Sequence, residues 1–257
     1  MSSKASNQTT EQSKTDLTKR KFLSGTVTGS MVAAGVSVAP GIFLTQVAQA
    51  RTNTSAAVTS DVRWGIVIDT TKKVDWNKCV DACNREHGLG NETKSNQEQK
   101  TEYIRVVKVK NKTTGYSSTL PVMCQHCETP PCVDVCPTGA SMKREDGIVY
   151  VDRHLCIGCR YCMMACPYKA RSFVHETLTD QKENTPRGKG CVESCNMCVN
   201  RIDQGLKPAC VDASEGAMIF GDLNDKSSEI SKFLAIQNTK QIRADLRLNT
   251  GVRYQGI

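Results

Sequence analysis

Cys124-Gln125-His126-Cys127-Glu128-Thr129-Pro130-Pro131-Cys132-Val133-Asp134-Val135-Cys136-Pro137 is followed, after a short insert, by Cys156-Ile157-Gly158-Cys159-Arg160-Tyr161-Cys162-Met163-Met164-Ala165-Cys166-Pro167. The first run is C-x2-C-x4-C-x3-C-P and the second C-x2-C-x2-C-x3-C-P. At such intervals three closely spaced thiolates hold one [4Fe–4S] cube and the fourth reaches across to a neighbouring cube. Two runs back to back therefore describe two clusters with crossed ligation. Loops with two residues between cysteines let consecutive sulfurs meet neighbouring irons, while backbone N–H groups turn toward the bridging sulfides. Cysteines serving as small buried apolar residues do not explain eight of them at this spacing, and a zinc site takes four ligands, often as two C-x2-C pairs.

The whole chain has 257 residues, 14 cysteines and only 5% aromatic residues. With so little aromatic volume, a cluster-organised core is expected, and metal binding then supplies much of the folding free energy. The apo-protein is expected to be largely unfolded. The formal net charge is +8, and residues 51–257 alone keep +5. A basic excess can mark nucleic-acid or lipid binding, but an oxidised cube with four thiolates carries about −2, which several clusters would set against this excess. Lys143, Arg144, Arg153, Arg160, Lys169 and Arg171 flank the cysteines and are expected to supply the compensating charge. No nucleic-acid partner is expected.

Residues 1–17 are Ser/Thr/Gln/Lys-rich, a composition of disordered segments. Thr18-Lys19-Arg20-Lys21-Phe22-Leu23 then opens a weakly apolar stretch that ends at Ala48-Gln49-Ala50. A basic region, an apolar region and an A-x-A site make residues 1–50 a signal peptide. The basic hexad resembles the twin-arginine export motif with Lys19 in place of its first arginine, and that route suits a protein exported with its clusters already bound. The apolar stretch is interrupted by Gly25, Gly29, Gly35, Pro40 and Gly41, which makes a poor membrane span. Localisation is thus expected to be periplasmic, with the mature protein soluble or peripheral to the membrane. Residues 51–60 read as a linker.

Two further cysteine groups lie outside the central pair. Counting back from Cys83 with the same spacing reaches Cys79, then Trp76, then Lys73, so the frame is intact and its first two cysteines are gone. The last group is Cys195-x2-Cys198-x11-Cys210-x3-Ser214. Here Pro208-Ala209-Cys210-Val211-Asp212-Ala213-Ser214 parallels Pro131-Cys132-Val133-Asp134-Val135-Cys136, an internal repeat in which Ser214 stands for the fourth cysteine. Strands are expected over 63–69 and 103–109, the latter turning at Asn111–Gly115 back to 120–122, with a hairpin between 142–144 and 148–151. Ile230, Phe233 and Leu234 predict an amphipathic helix, and the tail ends in an extended piece through Val252 and Tyr254.

The four groups resemble the four-cluster ferredoxin-type subunits of membrane respiratory complexes, the dimethyl sulfoxide and polysulfide reductase iron–sulfur subunit family, over about residues 62–225. That resemblance implies an α+β fold of two interleaved ferredoxin-like modules with β-hairpin insertions. Residues 61–225 would form the iron–sulfur domain, with groups one and four as one module and residues 120–175 nested as the second; residues 226–257 would add the C-terminal helix and tail. Position by position, it implies one cluster on Cys124, Cys127, Cys132 and Cys166, a second on Cys156, Cys159, Cys162 and Cys136, and a third on Cys195, Cys198, Cys210 and Cys83. The fourth would need positions 73, 76, 79 and 214 and finds Lys73, Trp76, Cys79 and Ser214. One thiolate does not hold a cube, so three [4Fe–4S] clusters are expected. Cys79 and Cys191 are left over, as a disulfide across the lost site, as free thiols, or with Cys191 as a substitute ligand. His126 and His154 sit beside ligands and could tune a potential; His87 and His175 read as surface residues.

No Ser/His/Asp arrangement, paired carboxylates or phosphate-binding glycine loop appears, so the expected role is that of a non-catalytic electron relay. Arg63-Trp64-Gly65, Cys166-Pro167-Tyr168-Lys169-Ala170-Arg171-Ser172-Phe173, Phe220–Asp225 and Leu248–Tyr254 are similar to the exported iron–sulfur subunit of the membrane complex associated with dissimilatory sulfite reduction. That similarity implies two partners, an integral membrane quinone-interacting subunit and a multihaem cytochrome c. A relay for an exported molybdopterin reductase acting on tetrathionate or polysulfide is the alternative within the class. A disulfide-stapled secreted binding protein and a zinc module are the alternatives outside it.

Overall fold

The computed structural model describes residues 37–39, 42–43, 58–90, 100–110, 112–113, 115–179 and 181–257. The export hexad and most of the linker lie outside them. The chain divides into two units, residues 1–54 and 55–257. Of the first, β1 (Ser37–Ala39) and β2 (Ile42–Phe43) pair antiparallel.

The second unit is built on one four-stranded sheet. β3 (Trp64–Asp69) is central in it, antiparallel to β10 (Met218–Asp222) and parallel to β12 (Val252–Gln255), which in turn pairs with β11 (Thr239–Lys240). A strand covered on both faces reads as a continuous apolar run, and Ile66, Val67 and Ile68 are all fully buried. Trp64 stacks on Phe220 across the β3–β10 pair at 5.0 Å between ring centroids. The helix expected around Ile230 is present as α6 (Glu229–Ile236), capped by Ser228, with Ile230 buried. Among the described residues no helix is long and apolar enough to cross a membrane.

Three hairpins complete the unit: β4 (Arg105–Lys110) with β5 (Ser117–Val122), β6 (Ser141–Lys143) with β7 (Val149–Val151), and β8 (Arg171–Phe173) with β9 (Val192–Ser194). The first two are the hairpins the sequence predicts. The third joins residues on either side of the 174–191 loop, and a buried charge network fixes it. Glu193 accepts from Arg187 Nε at 2.9 Å and faces Arg153 at 3.4 Å, while Arg187 Nη1 reaches Gly88 O at 3.1 Å. A buried carboxylate that loses such a partner costs about 3–5 kcal/mol.

The remaining helices are short and carry cysteines or follow them. They are α2 (Pro131–Asp134), α3 (Tyr161–Ala165), α4 (Val199–Ile202) and α5 (Ala209–Asp212). Among the described residues only α1 (Trp76–His87) runs three turns. Asp75 caps its start, accepting from Asn77 N, and Gly88 ends it in the left-handed conformation at φ 62°, where its N–H reaches Asn84 O. The main core mixes Ile66, Ile68, Met123, Ile148 and Tyr254 with Cys83, Cys124, Cys127, Cys195 and Cys210. A second, small cluster holds Cys132, Cys162, Val149 and Val192.

Candidate cluster sites

The loop from Met123 to Pro130 leaves β5 and is pinned from outside by the tail. Gly251 N donates to Gln125 O at 2.9 Å, and the side chain of Gln125 donates to Tyr254 Oη at 3.2 Å. His126 adopts φ 44° and is buried, its Nδ1 accepting from Val149 N at 3.0 Å. Burial, with the Arg171 charge behind it, pushes the His126 pKa down to about 3, so the imidazole is neutral. The loop so held turns Cys124 and Cys127 toward Cys132, in the first turn of α2. One cavity is lined by these three thiols together with Cys166, which comes from the following run. Burial raises the pKa of Cys127 to about 12, and the neighbouring Cys132 and Cys166 add to the rise.

The second set forms around the loop between β7 and α3. Burial raises the Cys162 pKa, and among the other thiols Cys136 and Cys156 contribute to the rise. Cys136 therefore belongs with a run that begins twenty residues after it in sequence. Its Sγ accepts from Ser141 N at 3.3 Å, and Cys156 Sγ accepts from Val192 N at 3.5 Å. Against burial, hydrogen bonds from Ser141, Thr138 and Ala140 hold Cys136 below the usual thiol pKa. Gly158, at φ 71°, lets the loop pass the backbone of Gly190; a Cβ there would stand 2.2 Å from Gly190 O. Cys159 is the one exposed cysteine of the fourteen.

Cys83, on α1, meets the third set. Burial raises its pKa well above the ordinary value, and Cys195, Cys210 and Cys198 add to that. The loop reverses at Met197 and Cys198, with φ of 57° and 53°, and Met197 N donates to Cys195 Sγ at 3.5 Å. Left-handed reversals and N–H donors aimed at sulfur occur in these loops as a sulfide-rich cube requires. Among the described residues no three His, Cys, Asp or Glu side chains converge closely enough for a single metal ion, whereas four thiols around a cavity suit a cube with an iron at each bound corner.

The first set adjoins both of the others. Cys195 of the third is influenced by Cys124 of the first, and Cys132 of the first by Cys162 of the second.

The degenerate fourth set is closed by other means. Lys73 is exposed. Trp76 is buried and donates from Nε1 to Thr119 O at 3.0 Å. Ser214 Oγ donates to Val211 O at 2.7 Å and accepts from Met218 N at 3.0 Å, which occupies the hydroxyl in both directions. The backbone has changed too. In the intact run the helix begins at Tyr161, directly before the third cysteine, but α1 already begins at Trp76, three residues ahead of Cys79. Cys79 is buried beside Cys210, whereas Cys191 lies beside Cys156 and donates to Arg153 O at 3.4 Å. The two leftover cysteines thus attend different sets, and every cysteine is a free thiol, without the disulfide considered from sequence.

Two expectations are corrected. His87 is buried, not a surface residue; its Nε2 lies 3.4 Å from Cys198 Sγ and its ring lies against Tyr103 at 5.0 Å. The signal was present in the spacing, since Trp76, Cys79, Cys83 and His87 form one helical stripe. His175 is half-buried, its ring edge-on to Phe173 at 4.8 Å, and His154 is exposed. The basic residues near the ligands, expected to share the compensating charge, are mostly engaged elsewhere. Lys143 pairs with Glu128, Arg144 with Asp146 and Asp203, Arg153 with Glu193, and Arg160 lies over Phe173. Arg171, by contrast, donates directly to a cysteine sulfur.

His87 makes acid stability measurable. Burial, then the charges of Arg153, Lys182 and Arg187, lower its pKa from 6.5 to about 4. The fold holds the neutral ring, so this contribution is complete above pH 6.5 and is lost as pH falls toward about 4. In thermal melts across that window, His87→Leu is expected to flatten the acid-side fall in Tm.

A family model described as a 4Fe-4S dicluster domain matches residues 116–223, which hold twelve of the fourteen cysteines and leave Cys79 and Cys83 outside. The Hdr-like menaquinol oxidoreductase iron-sulfur subunit 1 of Archaeoglobus fulgidus is 37% identical over 273 residues, covering 93% of this chain and 97% of its own. One tetrathionate reductase subunit, from Salmonella typhimurium, is 38% identical over 67% of this chain and 63% of its own. A selenate reductase subunit of Mesobacillus selenatarsenatis is 32% identical, over 76% of this chain and 72% of its own. Matched nearly end to end by one such subunit, and holding its thiols in clustered sets, the chain belongs to the ferredoxin-type iron–sulfur electron-transfer subunits of oxidoreductase complexes.

Proposed function

We propose that the protein carries three [4Fe–4S] clusters in series, ligated by Cys195, Cys198, Cys210 and Cys83, by Cys124, Cys127, Cys132 and Cys166, and by Cys156, Cys159, Cys162 and Cys136, in two interleaved ferredoxin-like modules. The observation that carries this reading is the crossing: Cys83 joins Cys195, Cys198 and Cys210, Cys166 joins Cys124, Cys127 and Cys132, and Cys136 joins Cys156 and Cys162. A bound cluster supplies one-electron chemistry. The chain's own residues hold the thiolates, exclude water and donate N–H groups to sulfur. The helical start at Trp76 and the bonded hydroxyl of Ser214 support the loss of a fourth site.

The test is an anaerobic count of iron and acid-labile sulfide on the full protein, with EPR during reductive titration. About 12 irons per chain are expected; about 16 would mean a fourth cluster, and essentially none would turn the reading toward disulfides or zinc.

In this reading the client is a membrane complex in which the protein passes electrons between a quinone-interacting membrane subunit and a multihaem cytochrome c. Similarity to a menaquinol oxidoreductase subunit supports the quinone side, and the sulfite-reduction type of complex rests on the segments named above. The likenesses to tetrathionate and selenate reductase subunits favour the second reading, a relay for an exported molybdopterin reductase; the genes beside this one separate the two. The partner meets the chain where the second set reaches the surface, since Ile157, Tyr161 and Met164 are more than half exposed around Cys159. Export through the twin-arginine route, with Lys19-Arg20 read as its signal, would put the protein on the outer face of the cytoplasmic membrane.

A further inference from the structure

Arg171 opens β8, directly after the Cys166-Pro167-Tyr168-Lys169-Ala170 segment, and is buried at 5% exposure. Its Nη2 donates to Cys132 Sγ at 3.1 Å. Cys132, Cys124 and Cys162 all interact with the guanidinium, so it stands where the first and second thiol sets adjoin. Among the described residues no carboxylate forms a salt bridge with it. Nε and Nη1 are buried and without hydrogen-bond partners. Burying a cation without a carboxylate is costly unless negative charge lies close by, and thiolates with the sulfides of a cube are acceptors of the kind these donors lack. Among the described residues the third set has no such cation free of carboxylates: Arg201, whose charge reaches Cys198, pairs with Glu86 and Asp212, and His87 Nε2 lies 3.4 Å from Cys198 Sγ.

We propose that Arg171 is a single positive charge shared by two neighbouring clusters, bonded to Cys132 of one and facing Cys162 of the other, and that it raises the reduction potential of both. The proposal rests on the ligand sets given above. One-electron reduction adds a negative charge to a cluster, and a fixed cation a few ångströms away favours that state. Coulomb energies add pairwise, so the same guanidinium favours reduction of each cluster separately. Arg171 is thus a positioning and tuning residue; it transfers no proton and no electron.

The experiment is an EPR-monitored titration of the full protein with dithionite as the electron donor, on wild type, Arg171→Gln and Arg171→Lys, each with an iron count. Gln keeps a donor beside Cys132 and removes the charge; Lys keeps the charge. In Arg171→Gln, two of the three couples are expected to move down, each with the reduced-to-oxidised ratio at fixed potential falling tenfold or more, a shift of at least about 59 mV for one electron. The third couple stays in place, and Arg171→Lys restores most of the shift. Unmoved potentials in Arg171→Gln, equal movement of all three couples, or a Lys variant that behaves like Gln would overturn the shared-charge role. If Arg171→Gln loses iron, a retained iron count with near-wild-type potentials in Arg171→Lys supports the role, and loss of iron or lowered potentials there defeats it. A wild type with about 12 irons, together with unmoved potentials in Arg171→Gln, sinks this proposal alone, whereas a wild type short of that count sinks the ligand sets and this proposal with them.

Discussion

A Cys83→Ala variant is expected to lose one of the three proposed [4Fe–4S] EPR signals, while Cys79→Ala, one helical turn away on the same buried face of α1, loses none. Both thiols are buried on one helix, and both stand near Cys210. Only Cys83 also meets Cys195 and Cys198. A cube on three protein thiolates gives up its unbound corner, so removing Cys83 degrades the third site even though the change lies more than a hundred residues from the rest of that set. Removing Cys79 takes one small side chain from beside Trp76 and leaves every proposed ligand in place. Equal iron loss from both variants, or loss only from Cys79→Ala, would show that α1 supplies a different ligand from the one assigned.

Stripping the clusters with chelator and oxidant, with thiols then kept reduced, is expected to unfold most of residues 58–257, seen as loss of far-UV circular dichroism and of compactness by scattering. A bound structural metal site contributes about 10–16 kcal/mol in small zinc peptides, and a whole domain is stable by only about 5–15 kcal/mol. One comparable site is therefore worth about as much as the whole margin, and losing several exceeds it. The elements left behind do not stand alone, since α2 to α5 are four or five residues long and isolated helices below about 12–15 residues are marginal in water. Any fold that survives near neutrality will depend on neutral thiols. Burial raises the Cys124 pKa from 9.0 to about 12, so that stabilising contribution is present below pH 9 and lost as pH rises toward 12. The stripped protein should accordingly lose its remaining structure in alkali, and an apo-form that keeps a native-like spectrum through that range would refute the cluster-built core.

The four cysteine groups were legible in the sequence because ligation imposes a short, rigid spacing that any loop must obey. Hairpins were legible where turn residues such as Asp146-Gly147 stand between alternating strands. What was not legible depends on tertiary pairing. Nothing local in Val252–Gln255 says that it lies beside β3, because parallel pairing over such a separation is chosen by the sheet and not by the strand. The shared charge was spread in the sequence over six basic residues, and only the distances single out Arg171, because Glu128, Asp146, Asp203 and Glu193 engage three of the others. His87 was missed for a different reason: its stripe was readable, but a histidine following a run of polar residues looks solvated until the helix is turned.

The position of β12 also sets a timetable. A ribosome delivers β3 early, yet that strand has no neighbour on one side until synthesis has passed Gln255. The same late segment clasps Gln125, next to Cys124. During that interval the loop around Cys124 and Cys127 lacks the hydrogen bonds that Gly251 and Tyr254 make to Gln125. Closing the sheet then acts as a latch, so that a nascent chain interrupted before Val252 retains every cysteine yet has no means of sealing its cargo in.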